Sequence, residues 1–232
     1  MIPCAICLKV LQRMKKAPFI IVSMVIIAII SSCAHEAEKK IKPAQELYDE
    51  AAALAKKGKV EKAADAFMQV RTYYPGHELA RKSILETGNL YYDNKDYELA
   101  LKNYEEFRLL YPTDPDAGYC LFRIGMCHYK QMSTFDRDQT ETTKAIQSFE
   151  VFMKSYPDSP YRKDANDGMK EARTVLAKHY LYIGKFYLKK GNKKAACARF
   201  QSVKQQYADT DLGEDIDILI SKACTTSVSP PK

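Results

Sequence analysis

The chain has 232 residues, no tryptophan, nine glycines and sixteen tyrosines. That length admits one or two ordinary domains, and internal repeats favour a single elongated array. The formal charge of +7 falls to +3 once Lys9, Arg13, Lys15 and Lys16 are set aside as part of a leader, and the remaining lysines are expected among acids on solvated helix faces. A nucleic-acid surface needs clustered cations with aromatics between them, so that class is excluded.

The N-terminal region reads as a targeting segment. Met14-Lys15-Lys16-Ala17-Pro18 precedes an apolar run from Phe19 to Ile30, which leads into Ile30-Ser31-Ser32-Cys33. A basic stretch, about twelve apolar residues and small residues before a cut describe a bacterial secretory signal. Twelve helical residues span about 18 Å, against the ~30 Å of a hydrocarbon core, which argues against an uncleaved anchor. The final residues resemble the lipobox of bacterial lipoproteins. That resemblance implies cleavage after residue 32 and a thioether diacylglycerol with an N-acyl chain on Cys33. Residue 34 is Ala rather than Asp, so outer-membrane delivery, facing the periplasm, is the expected destination. Met14 is an alternative start for the same signal. Cys4 and Cys7 fall in the removed segment. Cys120 and Cys127, seven apart on one helix, lie about 10.5 Å apart, beyond the ~7 Å a disulfide tolerates, and read as small buried hydrophobes. Pairing of Cys197 with Cys224 stays open.

After a lipidated linker over 33–42, a motif recurs four times in fixed register. An alanine is followed four places later by an aromatic and, eight beyond that, by a chain-breaker: Ala63/Phe67/Pro75, Ala100/Tyr104/Pro112, Ala145/Phe149/Pro157 and Ala196/Phe200/Ala208. A small residue stands twelve before the alanine at Ala51, Gly88 and Gly184. In the third set Gly125 stands twenty before it, which marks an eight-residue insertion. Self-similarity of this period is the signature of stacked helical hairpins, with small residues at the close approaches, aromatics in the seams and proline ending each second helix. The offsets match the tetratricopeptide (TPR) pattern, with Tyr91 and Tyr187 three after their glycines and His128 in the same place as a core histidine. The expected fold is therefore all-α, a TPR-type α-solenoid over 43–223. Its hairpins fall at about 43–75, 79–112, 116–157 and 162–208. The expected turns are Lys57-Gly58-Lys59, Asn94-Lys95-Asp96, an enlarged loop Ser133–Thr140, and Gly191-Asn192. A capping helix follows over 211–223, with Leu212, Ile216, Leu219 and Ala223 on one face, and residues 224–232 form a Pro/Ser tail predicted to be disordered.

No catalytic constellation is legible. The histidines (His35, His77, His128, His179) fall in separate elements without metal-ligand spacing, and neither a Walker A loop nor GxGxxG nor GxSxG occurs. Asp136 and Asp138 read as solvated loop carboxylates. No enzyme activity, cofactor or metal is expected.

Two departures from a plain TPR array are specific. One is the enlarged third turn, Phe135-Asp136-Arg137-Asp138-Gln139-Thr140. The other is the long helix reading Leu176-Ala177-Lys178-His179-Tyr180-Leu181-Tyr182-Ile183-Gly184-Lys185-Phe186-Tyr187, followed by Lys189-Lys190-Gly191. With Tyr156-Pro157-Asp158-Ser159-Pro160-Tyr161, they resemble the BamD (ComL, YfiO) family of TPR lipoproteins of the outer-membrane β-barrel assembly machinery, over about Gln45 to Thr210. The resemblance implies binding to the POTRA domains of a BamA-like barrel protein and to unfolded barrel precursors. It carries a partner-binding arginine onto Arg199, and it leaves the fifth helix pair incomplete. Repeat register places Tyr48, Leu85, Asn89, Tyr92, Tyr119 and Phe122 in the concave groove, a surface suited to an extended segment ending in an aromatic. The alternatives are a lipoprotein pilotin for secretin or pilus assembly, and a Tol-Pal or cell-division envelope scaffold. Regular repeats without the long fourth helix favour the first, and an N-terminal coiled coil favours the second.

Overall fold

A computed structural model describes residues 41–213 and 215–224. Among the described residues nine helices follow one another: α1 Ala44–Lys56, α2 Val60–Tyr73, α3 Glu78–Asp93, α4 Tyr97–Leu110, α5 Ala117–Lys130, α6 Thr140–Ser155, α7 Arg162–Lys189, α8 Lys193–Gln206 and α9 Ile216–Cys224. Each packs on its neighbours in sequence, and α1 also reaches α3, as α5 reaches α7, so first helices of successive hairpins line up side by side. The four expected hairpins are present, with the 28-residue α7 opening the fourth. The signal segment, Cys33 and residues 225–232 of the expected tail lie outside the described residues, whereas Cys224, expected in the tail, ends α9.

The repeat residues perform the packing their spacing implies. A Cβ built on Gly88 would stand 2.8 Å from the Tyr104 ring, on Gly125 2.6 Å from Phe149, and on Gly184 2.5 Å from Phe200. Such contacts are too short for any side chain, so in the last three hairpins the first and second helices approach only because these positions are glycine, whereas the first hairpin accommodates the buried Ala51 there. Phe149 also faces Gly168 of α7, which wedges it between its own hairpin and the next. Helices α2, α4 and α6 end on Tyr74, Tyr111 and Tyr156, whose φ of −134°, −131° and −132° leaves the helical region, as a residue before proline must. Tyr207 takes the same φ, −131°, although Ala208 follows it. There the packing replaces the proline. Tyr207 is buried, against Tyr180 and under Arg173.

Two turns use glycine in the left-handed region, Gly58 at φ +66° and Gly191 at +78°, whereas the α3–α4 turn places Lys95 there at 68°. The last helix differs from expectation. It begins at Ile216 rather than Asp211, because Gly213 turns the chain at φ +65° and Asp211 accepts a hydrogen bond from its N–H at 2.9 Å. Asp215 then caps the helix by accepting from the N–H groups of Asp217 and Ile218. Leu212 still reaches the apolar face of α9 and packs with Ile216 and Leu219 around Phe200. Cys197 and Cys224 form a disulfide that fastens α9 to α8. Cys120 and Cys127 are free and fully buried, and burial pushes both thiols up to about 12, which leaves them protonated and inert.

Candidate functional site

The predicted groove residues fall on α1, α3 and α5, and polar bonds bring two of them, Asn89 and Tyr119, together with Tyr104 of α4. Asn89 Oδ1 accepts from the hydroxyls of Tyr104 and Tyr119, each at 2.9 Å. Tyr104 OH in turn accepts from Arg123 Nε at 3.1 Å. The Arg123 guanidinium lies over Tyr92, 3.5 Å from the ring centroid, with Tyr119 and Tyr104 at 5.6 and 5.8 Å. Burial raises the phenol pKa values of Tyr92, Tyr104 and Tyr119, most strongly for Tyr104, so these rings act as neutral hydrogen-bonding groups. Arg123 was not among the residues singled out from sequence. Its one legible signal is its place four after Tyr119 on the same helix face.

Two cavities flank this network. One of about 750 Å³ is lined by Leu85, Tyr119 and the Tyr156–Tyr161 stretch. The other, of about 580 Å³, is lined by Tyr48, Phe67, Glu86, Asn89 and Asp93. Tyr48 is half-buried and meets Phe67 edge to face at 5.5 Å. Phe122 departs from its predicted place in the groove. It is 6% exposed, stacks on Tyr161 at 5.0 Å and touches Phe149 and Phe152, so it packs the seam and offers a ligand almost no surface.

The fourth hairpin carries a different surface. Between Ala172 and Ala208 stand nine lysines and arginines and not one carboxylate, which corrects the expectation that cations are scattered among acids. Arg173 pairs with Asp209 at 2.7 Å and Lys204 with Asp217 at 2.5 Å, both acids lying beyond the stretch. Lys189, Lys190, Lys193 and Lys194 crowd the exposed α7–α8 turn, and among the described residues none of the four pairs with a carboxylate. Arg199 is exposed on α8, its guanidinium 5.6 Å from the Tyr180 ring.

The two sequence elements that carry the family resemblance meet in space. Phe135 of the enlarged turn sits edge to face on Tyr182 of α7 at 5.8 Å, and its carbonyl lies 2.6 Å from His179 Nδ1. Inside the turn, the Gln139 amide donates to the Thr134 and Arg137 carbonyls and accepts from Thr142. Hydrogen bonds from Thr140, aided by the charge of His179, hold the Asp138 carboxyl below its usual range. His128 is a buried core residue 2.6 Å from Glu141. Burial pushes the Glu141 carboxyl up, but bonds from Lys144 and His128 outweigh it and leave the group lowered. Among the described residues no cluster of three His, Cys, Asp or Glu side chains is arranged to hold a metal, and no helix is long and apolar enough to cross a membrane.

Stacked hairpins with a polar-bonded aromatic cluster in one half and a basic surface in the other define a TPR-type helical scaffold. The chain belongs to the YfiO family of outer membrane lipoproteins, whose profile matches residues 40–223. It is 30% identical over 195 residues to the outer membrane protein assembly factor BamD of Caulobacter vibrioides, covering 82% of this chain and 64% of that protein. The BamD proteins of Pasteurella multocida and Rickettsia prowazekii are each 28% identical, with 78% and 85% of this chain covered and 74% and 79% of theirs. The chain thus spans a little under two-thirds of the Caulobacter protein's length. Among solved structures, a tetratricopeptide repeat protein from Parabacteroides merdae is 14% identical, covers 79% of this chain and 72% of its own, and has a TM-score of 0.40. MamA from Desulfovibrio magneticus is 19% identical over 73% of this chain and 78% of its own, at 0.39. Superpositions this loose carry no further argument.

Proposed function

We propose that the chain is a non-enzymatic assembly factor for outer-membrane proteins, lipid-anchored through Cys33 at the periplasmic face. Its first three hairpins receive an extended segment of an unfolded barrel precursor, and its fourth hairpin docks the POTRA domains of a BamA-like barrel protein. The observation that carries this reading is the division of the surface. Aromatic rings and an amide line two cavities in the N-terminal half, alongside Glu86, Asp93, Asp116 and Asp158, while an acid-free, nine-cation stretch containing exposed Arg199 makes up hairpin α7–α8 from Ala172 onward. Family membership and relatives that are themselves assembly factors support it. Tyr48, Leu85, Asn89, Tyr92 and Tyr119 form the groove in this reading, and Arg199 supplies a planar fork of donors for a partner carboxylate.

Capture of a POTRA fragment tests the docking half. Arg199→Glu should weaken it by roughly 2–5 kcal/mol if the pair is desolvated, and raising salt should slow association of the wild type. A folded Arg199→Glu variant that captures the fragment as the wild type does would refute the assignment. The groove half is tested with photoreactive probes in place of Tyr92 and Tyr119, compared with Lys62 and Lys102 on the exposed outer helices. A labelled precursor C-terminal peptide should cross-link to the first pair alone.

A further inference from the structure

The geometry points to a carboxylate receptor at Arg123, placed to hold the free C-terminus of a peptide lying in the groove. This rests on the reading of the groove as a peptide site.

Arg123 has five N–H donors, and the fold uses one of them, Nε on Tyr104 OH. The nearest carboxylate, Asp93, stands 3.8 Å from Nη2, too far for a hydrogen bond, on a side chain that is 80% exposed. The terminal Nη groups are therefore without a protein acceptor, yet no described buried polar atom lacks a partner, so these groups open to solvent. The rest of the side chain is enclosed, with only 16% exposed. An arginine built purely to hold the fold would point its fork at an acceptor. This one leaves its fork without a hydrogen-bond acceptor, with Asp93 at 3.8 Å, and engages its plane and its Nε with the protein.

The plane is also fixed before any ligand arrives. Tyr92 covers one face at 3.5 Å, and Tyr104 OH holds Nε. Asn89 holds Tyr104 and is itself held by Tyr119. A pre-set, partly desolvated guanidinium gives a carboxylate two parallel charge-assisted bonds and loses little side-chain entropy in doing so. Arg123 itself lines neither cavity, but its neighbours do: Tyr119 lines the larger while Asn89 and Asp93 line the smaller. The Tyr92 and Tyr119 rings beside it offer aromatic surface to the residue that bears the carboxylate.

Two sources supply this chemistry, a chain terminus and an acidic side chain. The test separates them by titrating the full lipoprotein in detergent micelles with three labelled nonapeptides of one sequence ending in phenylalanine. The first has a free C-terminus, the second is amidated, and the third is amidated with glutamate introduced at the penultimate position. Amidation should weaken binding to the wild-type protein about tenfold, the scale of a lost charge-assisted pair. In Arg123→Met the free and amidated peptides should bind alike, and Arg123→Lys, which keeps charge without the fork, should show an intermediate gap. Equal binding of the free and amidated peptides to the wild type overturns the proposal and leaves the groove reading intact. Absence of binding by all three overturns both. Should the glutamate peptide match the free acid, the terminus is refuted as the specific ligand. Because the decisive comparison uses wild-type protein, a variant that fails to fold does not blunt it.

Discussion

The groove between α3, α4 and α5 and the outer surface of hairpin α7–α8 are built on one repeat, yet they treat their polar groups in opposite ways. In the groove, polar atoms are turned on one another, with Asn89 taking two phenols and Tyr104 taking Arg123. On the fourth hairpin the four lysines of the α7–α8 turn are exposed and pair with no carboxylate among the described residues, and Lys190 lies over the Phe186 ring at 5.8 Å. Hydrogen bonds of 2.9 to 3.1 Å hold these side chains in place, which in the proposed reading lets the groove select by shape and donor geometry. Unpaired surface charge acts over the ~8–10 Å of a Debye length, so the basic surface selects by sign and speeds encounter. The proposed function thus sets a short-range site and a long-range one on the same repeat.

The largest expected effect tests whether these regions share one frame. Phe149→Ala empties a seam in the middle of the stack, between Gly125 and Gly168, and should cost about 3–5 kcal/mol, read as a lower urea midpoint. Phe200→Ala removes the matching ring over Gly184 near the end of the stack. There the loss should appear as an early, separate transition of the fourth hairpin, since a terminal unit has fewer neighbours to hold it. A single concerted transition in both variants would break the division between the regions.

The disulfide sharpens it next. Cys197 and Cys224 close a loop with a sequence separation of 27, which the chain-entropy account values at about 3.5 kcal/mol. Cys224→Ser should release α9 and raise hydrogen exchange around Phe200 and Leu181, while the amides of α3 and α5 keep their protection. Protection lost equally in both places would contradict the independence of the groove.

The smallest effect falls on the groove alone. Burial raises the folded pKa of Tyr92, Tyr104 and Tyr119, so above the unfolded phenol value near 10 the unfolded chain binds fewer protons than the folded one. Stability present below pH 10 is then lost as pH rises further, by at most about 1.4 kcal/mol per pH unit for each phenol held neutral, and by less for the more exposed Tyr92 and Tyr119. Urea midpoints measured from pH 9 to 11 should fall, and Tyr104→Phe should flatten the slope. An unchanged slope in that variant would show that Tyr104 does not carry the alkaline sensitivity.

What could be read from the chain follows the range of the forces involved. The four hairpins, their glycine and proline punctuation and the 28-residue α7 are set by contacts repeating at fixed short offsets, so spacing alone determined them. Composition along the chain also held the acid-free stretch, but averaging lysines over the whole sequence concealed it. The remaining features depend on which helix faces meet. Phe122 and Tyr119 lie three apart on α5 and read alike in sequence, yet the approach of Tyr161 covers Phe122 with a stacked ring while Tyr119 keeps a face on a cavity. Gly213 delays α9 although Leu212 keeps its predicted contacts. The pairing of Cys197 with Cys224, the seat of Phe135 on Tyr182 and the collar around Arg123 join residues from 27 to 47 positions apart or from separate hairpins. No local periodicity encodes such meetings. They are decided when the seams close and the volume left between helices determines which side chain is covered and which is left facing a cavity.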